Sequence, residues 1–276
     1  MIEPFVEVGW VQEHRDKIVL ADCRWYVDGS SGRAAYEAGH LPGAIFVDLE
    51  TALTGHDDPA AAGRHPLPEP EAFAAAMEGL GIGDGDTVVA YDDAGGVIAA
   101  RLVWMLRATD HEAALLDGGL AAWSGALESG PGSSDFGRGG FSVRPWPAEL
   151  LATIDEAAEA ASSGAAVAID ARPRDRFAGA PDELDPRAGH IPGARSVPCR
   201  ENVDAAGRLL PPAELRARFD IDDASEVVAY CGSGVTACHN LLAMEAAGLG
   251  RGRLFPGSWS QWSRDPARPV QTGEGA

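Results

Sequence analysis

Short apolar runs, each closed by one polar or reactive residue, recur along the chain. Ile18-Val-Leu-Ala21 stops at Asp22, Thr87-Val-Val-Ala-Tyr91 at Asp92, Val167-Ala-Ile169 at Asp170, and Glu226-Val-Val-Ala-Tyr230 at Cys231. Runs this short, rich in β-branched residues and without a polar face, predict buried strands rather than helices. Lesser runs at Ile45-Phe-Val47, Ala113 to Leu116, Ser196-Val197 and Arg253-Leu-Phe255 predict further strands. Between them, helices are expected over Glu69 to Leu80, Val97 to Ala108, Pro212 to Arg218, and from near Val235 to Ala247. Strands separated by helices make this an α/β chain with parallel sheets flanked by helices on both faces. Reactive groups in such sheets gather beyond the carboxyl ends of the strands, which is where Cys231 falls.

The pattern occurs twice. Ala38-Gly-His-Leu-Pro-Gly-Ala44 returns as Ala188-Gly-His-Ile-Pro-Gly-Ala194, and Val88-Val-Ala-Tyr91 returns as Val227-Val-Ala-Tyr230. Extended without gaps, the second pair sets Gly95 on Gly234, Leu102 on Leu241, Met105 on Met244, Gly118 on Gly257 and Trp123 on Trp262. Such agreement predicts a duplicated domain. The Gly-, Ser- and Pro-rich stretch over 129–147 reads as a linker between a first domain, 1–128, and a second, 148–276. In this register Asp92 takes the place of Cys231 and reads as a solvated carboxylate at a strand end. His40 and His190, each inside a Gly-His-aliphatic-Pro-Gly turn, read as architectural.

With 276 residues and 45% hydrophobic content, the chain suffices for two ordinary domains and has no apolar run of the roughly 20 residues a membrane span needs. Its formal net charge of −20 argues against nucleic acid or an anionic membrane as partner. The opening residues Met1-Ile-Glu-Pro-Phe-Val-Glu7 lack a basic stretch followed by an apolar core, so a cytoplasmic protein is expected. Four cysteines, Cys23, Cys199, Cys231 and Cys238, show no paired metal-ligand spacing, and reduced thiols with no metal are expected. Cys238 lies two helical turns beyond Cys231 and reads as a core thiol.

The chemistry concentrates in Cys231-Gly-Ser-Gly-Val-Thr236. Gly232 and Gly234 let the backbone curl so that N–H groups point inward, and the following helix adds the positive end of its dipole. Such a cradle favours an anion, and the nearest candidate is the Cys231 thiolate. An anionic substrate would also need arginine, and Arg172, Arg174, Arg176 and Arg187 follow the strand that ends at Asp170.

Cys231-Gly-Ser-Gly-Val-Thr-Ala237 resembles the active-site loop of the rhodanese superfamily, and within it the 3-mercaptopyruvate sulfurtransferases, whose loops carry small uncharged residues. The resemblance extends over nearly the whole chain and implies two tandem rhodanese-like domains, of which only the second keeps the nucleophile. It implies that Cys231 becomes a persulfide, held by the loop at Gly232, Gly234, Val235 and Thr236. It implies Arg176 as the arginine that binds the substrate carboxylate, with Arg187 as its partner, and Ser233, His65 and an acid, Asp48 or Glu50, as a proton relay. The reaction implied moves sulfur from 3-mercaptopyruvate to a thiophilic acceptor such as cyanide, a small thiol or thioredoxin, releases pyruvate and needs no cofactor. Thiosulfate as donor is the rival, opposed by the absence of positive charge in Gly232-Ser233. A non-catalytic sulfur-carrier or regulatory module is a second rival. Cysteine phosphatase chemistry is disfavoured because Ala237 and Cys238 stand where a loop-closing arginine would be needed.

Overall fold

The four apolar runs that end in a polar or thiol residue are all interior strands of two parallel sheets. The structure is a computed structural model that describes residues 1–56, 58–132, 139–164, 166–181 and 183–273. The first sheet holds β1 (Phe5–Val6), β2 (Ile18–Asp22), β3 (Ile45–Phe46), β4 (Thr87–Tyr91) and β5 (Glu112–Leu116), in the spatial order β1-β5-β4-β2-β3. The second holds β6 (Val167–Asp170), β7 (Arg195–Ser196), β8 (Val227–Tyr230) and β9 (Arg253–Leu254), in the order β7-β6-β8-β9. Every pairing is parallel, with Asp22 level with Tyr91 in the first sheet and Asp170 level with Tyr230 in the second. A parallel bridge from Leu151 to Leu254 stands where β1 pairs with β5, so the two sheets repeat one topology.

The chain divides into two compact units that do not follow its order strictly. The first takes Met1–Thr54, Pro68–Trp146 and Val203–Leu209; the second takes Gly55–Leu67, Pro147–Asn202 and Leu210–Ala276. The segment Gly55–Leu67 joins the second unit through close backbone approach. Gly63, at φ +87°, lies so near Gly257 that a Cβ would come within 2.5 Å of its carbonyl oxygen, and the Arg64 N–H donates to Ser260 Oγ at 3.0 Å. Of the stretch expected to link the halves, 133–138 lie outside the described residues. Beyond them Phe141 is buried in the first unit, stacked on His111 with ring centres 4.2 Å apart.

Each unit carries the same buried scaffold at the end of its strands. Asp22 and Asp170 are wholly buried, and each holds an arginine two residues on by two parallel bonds, at 3.0 and 2.7 Å for Arg24 and 3.0 and 2.6 Å for Arg172. Both guanidinium groups also donate to the carbonyl of the glycine before the repeated histidine, Gly39 or Gly189, at 2.7 Å. His40 stacks on Tyr36 and His190 on Phe177, each with Nδ1 against that ring residue's own carbonyl oxygen. The architectural reading of the two histidines agrees with these contacts. Burial in an apolar stack lowers the pKa of His190.

Helices form at Pro70–Gly79, Ala100–Ala108, Pro212–Phe219 and Ala237–Ala246, each within three residues of its expected limits. Among the described residues seven more, Val8–Glu13, Gly32–Ala38, Leu49–Ala52, Pro59–Ala62, Ile154–Ser162, Arg174–Ala178 and Ser258–Trp262, have no counterpart among the sequence expectations. Among the described residues, no helix is long and apolar enough to cross a membrane.

Candidate active site

Cys231 leaves the carboxyl end of β8 and is buried, as are Val235, Ala237 and Cys238 after it. The loop can turn because Gly234 sits at φ +78°, where a Cβ would lie 2.4 Å from the Pro256 carbonyl oxygen. Only glycine fits there. The helix Ser258–Trp262 supports the loop from outside: the Trp259 N–H donates to Cys231 O at 3.0 Å and the Ser260 N–H to Gly232 O at 2.8 Å. With those carbonyls held outward, the Gly234 N–H points inward and donates to Cys231 Sγ at 3.2 Å. The next helix, Ala237–Ala246, opens directly after the loop and directs its positive dipole end at the same place.

Ser258, which the sequence reading passed over, is a second support. Its Oγ accepts the Cys231 N–H at 3.1 Å and donates to Phe255 O at 2.9 Å. To do so it adopts φ +52°, a left-handed conformation that costs a non-glycine residue about 1 kcal/mol. Two other thiols surround the loop. Cys238 Sγ donates to Gly234 O at 3.4 Å. Cys199 bonds to the Thr236 side chain, and burial, reinforced by the neighbouring Cys231, pushes its pKa up to about 12. None of the four cysteines forms a disulfide, and all four are buried.

Ser233 and His65, 168 positions apart in the chain, meet in the second unit. His65 Nδ1 lies 2.7 Å from Ser233 Oγ, and both side chains are buried. Both acids proposed from sequence have partners within the first unit. Asp48 caps the helix Leu49–Ala52, where its Oδ1 accepts from the Thr51 N–H at 2.9 Å and the Thr51 hydroxyl at 3.1 Å. Glu50, the alternative, accepts from Trp25 Nε1 at 3.0 Å.

The arginines sort differently from the sequence expectation. Arg176 faces the loop: its Nη1 is 3.8 Å from the point a Cβ on Gly232 would occupy. Arg187 does not join it. Its guanidinium is spent on the carbonyls of Trp262, Ser263, Asp265 and Arg268, at 2.5 to 2.8 Å, where it closes the carboxyl end of the helix Ser258–Trp262. The second guanidinium at the loop belongs to Arg64, whose Nη2 is 3.2 Å from the same point over Gly232. Arg64 comes from the segment Gly55–Leu67, and its only sequence signal is its place beside His65. Arg172, read as structural, forms the buried pair with Asp170 and lies over the Trp259 ring at 4.7 Å.

Between the two loop-facing arginines lies Asp185, whose side chain is completely shielded from solvent. Its Oδ1 accepts from Arg64 Nη1 and, at 3.4 Å, from Arg264 Nη1; its Oδ2 accepts from Arg176 Nη2 at 3.4 Å. Arg264 also donates to Ser260 O at 2.6 Å, which ties the cluster back to the helix that holds the loop. Among the described residues, no group of three or more His, Cys, Asp and Glu side chains could hold a metal ion. The site therefore offers a buried sulfur in an N–H cradle, a hydroxyl–imidazole pair, and guanidinium groups at the mouth of the loop.

The chain resembles known proteins over nearly all of its length. The model of the rhodanese-like domain matches twice, over residues 7–126 and 153–265. A Pseudomonas aeruginosa protein named "Probable 3-mercaptopyruvate sulfurtransferase" is 42% identical over 265 residues, covering 93% of each chain. "Thiosulfate/3-mercaptopyruvate sulfurtransferase 1, mitochondrial" of Arabidopsis thaliana is 33% identical over 99% of this chain and 79% of its own. The crystal structure of SseA from Escherichia coli, described as a 3-mercaptopyruvate sulfotransferase, superposes with a TM-score of 0.80 at 36% identity, over 94% of this chain and 99% of that one. With a duplicated topology, a cysteine loop in the second copy and matches that run the length of both, the chain belongs to the rhodanese family.

Proposed function

We propose that this protein is a 3-mercaptopyruvate sulfurtransferase that works through a persulfide on Cys231. The observation that carries the reading is the placing of Cys231 Sγ in the loop cradle, with the guanidinium groups of Arg64 and Arg176 beside Gly232 of the same loop. A guanidinium holds a carboxylate by two parallel bonds, so two of them at the loop mouth can hold an α-keto acid by its carboxylate end and leave its sulfur to meet Sγ. The Cys231 thiolate attacks the donor sulfur, the S–S bond forms and the donor C–S bond breaks, and the electron pair passes to the enolate of pyruvate. The proton from the donor thiol then moves to the enolate carbon, for which Ser233 and His65 supply a relay at hydrogen-bond distance. Loop N–H groups hold the negative persulfide until cyanide, a small thiol or a thioredoxin removes the outer sulfur and restores the thiolate. The setting proposed is cytoplasmic, with no cofactor.

Thiosulfate is the second reading, and Arg64 favours it. The loop itself has no basic residue, yet Arg64, Arg176 and Arg264 gather around the Asp185 carboxylate and supply guanidinium groups near it. The test is steady-state sulfur transfer to cyanide with each donor, in the wild type and in Cys231→Ser. A preference for 3-mercaptopyruvate of about tenfold or more in kcat/KM, with Cys231→Ser inactive, supports the first reading. A thiosulfate preference replaces it with the second, and inactivity of the wild type towards both donors overturns both.

A further inference from the structure

We propose that Asp185 is the positioning residue of the donor site: it holds Arg64 and Arg176 in the arrangement that receives a carboxylate, an inference that rests on the donor reading above. The two arginines come from distant parts of the chain, one beside His65 and one on the short helix Arg174–Ala178. Like charges brought together repel, and long side chains near a surface are mobile. Something must hold them. Asp185 divides its two oxygens between them, Oδ1 to Arg64 Nη1 and Oδ2 to Arg176 Nη2. Each guanidinium is thus anchored along one side and turned towards the loop on another: Arg64 puts Nη2 over Gly232 while its Nη1 stays on Asp185.

The carboxylate is suited to this task because it is itself fixed. Its side chain has no solvent exposure, and Arg264, braced on Ser260 O, donates to the same Oδ1 as Arg64. Ser260 in turn donates its N–H to Gly232 O at 2.8 Å. A continuous set of bonds therefore runs from the loop through Ser260 and Arg264 to Asp185 and back to the two arginines above the loop. Deleting the Asp185 charge makes the surroundings of the three guanidinium groups more positive, so the carboxylate contributes direction to the arginines rather than attraction for a donor anion. Position and charge consequently predict opposite results when the carboxylate is removed.

Asp185→Asn keeps the size of the side chain and deletes its charge. If Asp185 positions the arginines, KM for 3-mercaptopyruvate rises about tenfold while kcat stays within about twofold, and Asp185→Glu recovers part of the loss. Added to Arg64→Gln, Asp185→Asn then costs far less than it does alone, because the two act through one contact. A second readout does not depend on the donor: the rate of Cys231 alkylation by iodoacetate divided by that by iodoacetamide. Positioning predicts that this ratio falls about fivefold in Asp185→Asn, with an unchanged melting temperature. A ratio that rises means charge alone matters and overturns the proposal; so does an unchanged ratio, or an equal slowing of both reagents. A wild type that turns over neither donor while the ratio still falls in Asp185→Asn removes the proposed function and leaves the role of Asp185 standing.

Discussion

At the end of the central strand, the two units solve the same problem in opposite ways. In the second unit the strand-end side chain is a thiol that takes a bond from one loop N–H, that of Gly234. In the first, Asp92 stands in that place and takes four, from Ala94 and Gly96 on Oδ1 at 2.8 and 2.7 Å, and from Ile98 and Ala99 on Oδ2 at 2.8 and 3.0 Å. The carboxylate is wholly buried, which corrects the reading of Asp92 as a solvated strand-end residue. Its physical reason is the loop: a curl that presents inward N–H groups must satisfy them, and burial excludes water from the task. In each unit the loop turns N–H groups onto the strand-end side chain, and the first unit fills that cradle with its own carboxyl group.

Replacing Cys231 by Asp puts the first unit's solution into the second, and it should have the largest effect. Sulfur transfer is expected to fall by at least about a thousandfold, because the nucleophile is gone. Thermal stability should equal or exceed that of Cys231→Ala, since the introduced carboxylate can use the cradle. A Cys231→Asp protein that melts well below Cys231→Ala would show that the two loops are not equivalent.

The converse change, Asp92→Ala, leaves buried N–H groups without an acceptor. A loss of about 3 kcal/mol is expected, from an unmet buried donor costing roughly 1–3 kcal/mol and partial relaxation of the rest. At roughly 2–4 °C per kcal/mol for a unit of this size, the melting temperature should fall by about 6–12 °C in a calorimetric scan. A shift below about 2 °C would mean that the first loop does not depend on its internal anion.

The matched glycines give the smallest and most selective contrast. Gly95 and Gly234 have nearly the same φ, +81° and +78°, but different neighbours. A Cβ on Gly234 would meet Pro256 O at 2.4 Å, whereas one on Gly95 would meet only Val203 Cγ2 at 3.4 Å, an ordinary contact. Gly95→Ala should therefore cost about 1 kcal/mol of conformational strain in denaturant titrations. Gly234→Ala should cost measurably more and disturb turnover as well; equal losses at both sites would mean that backbone conformation, and not the Pro256 contact, sets the cost.

The interior strands were legible in the sequence because burial on both faces writes an uninterrupted apolar run. β1 was not, since Phe5–Val6 is two residues long and follows no pattern. The helices Gly32–Ala38 and Arg174–Ala178 were missed for a similar reason: short, alanine-rich or charged segments have little apolar periodicity to display. The helix Ile154–Ser162 did carry a signal, the capping box in which Thr153 and Glu156 bond to each other's backbone N–H groups. In the site, Cys231, Ser233, His65 and Arg176 could be named from local motifs. Arg64 and Asp185 could not, because their meaning depends on contacts 121 positions apart in the chain. Arg187 misled because proximity to the repeated histidine motif says nothing about carbonyls that lie more than 70 positions later.

That Arg64 and His65 are supplied by Gly55–Leu67 bears on how such a molecule could have been inherited. The strands, the loop and the cysteine of the second unit all come after Pro147, yet Arg64 and His65 of its candidate site are written in the first half of the chain. A single copy cut free would keep the sulfur and lose the imidazole and a guanidinium beside it. The half of the chain that carries the cysteine is therefore not by itself the whole of the candidate site.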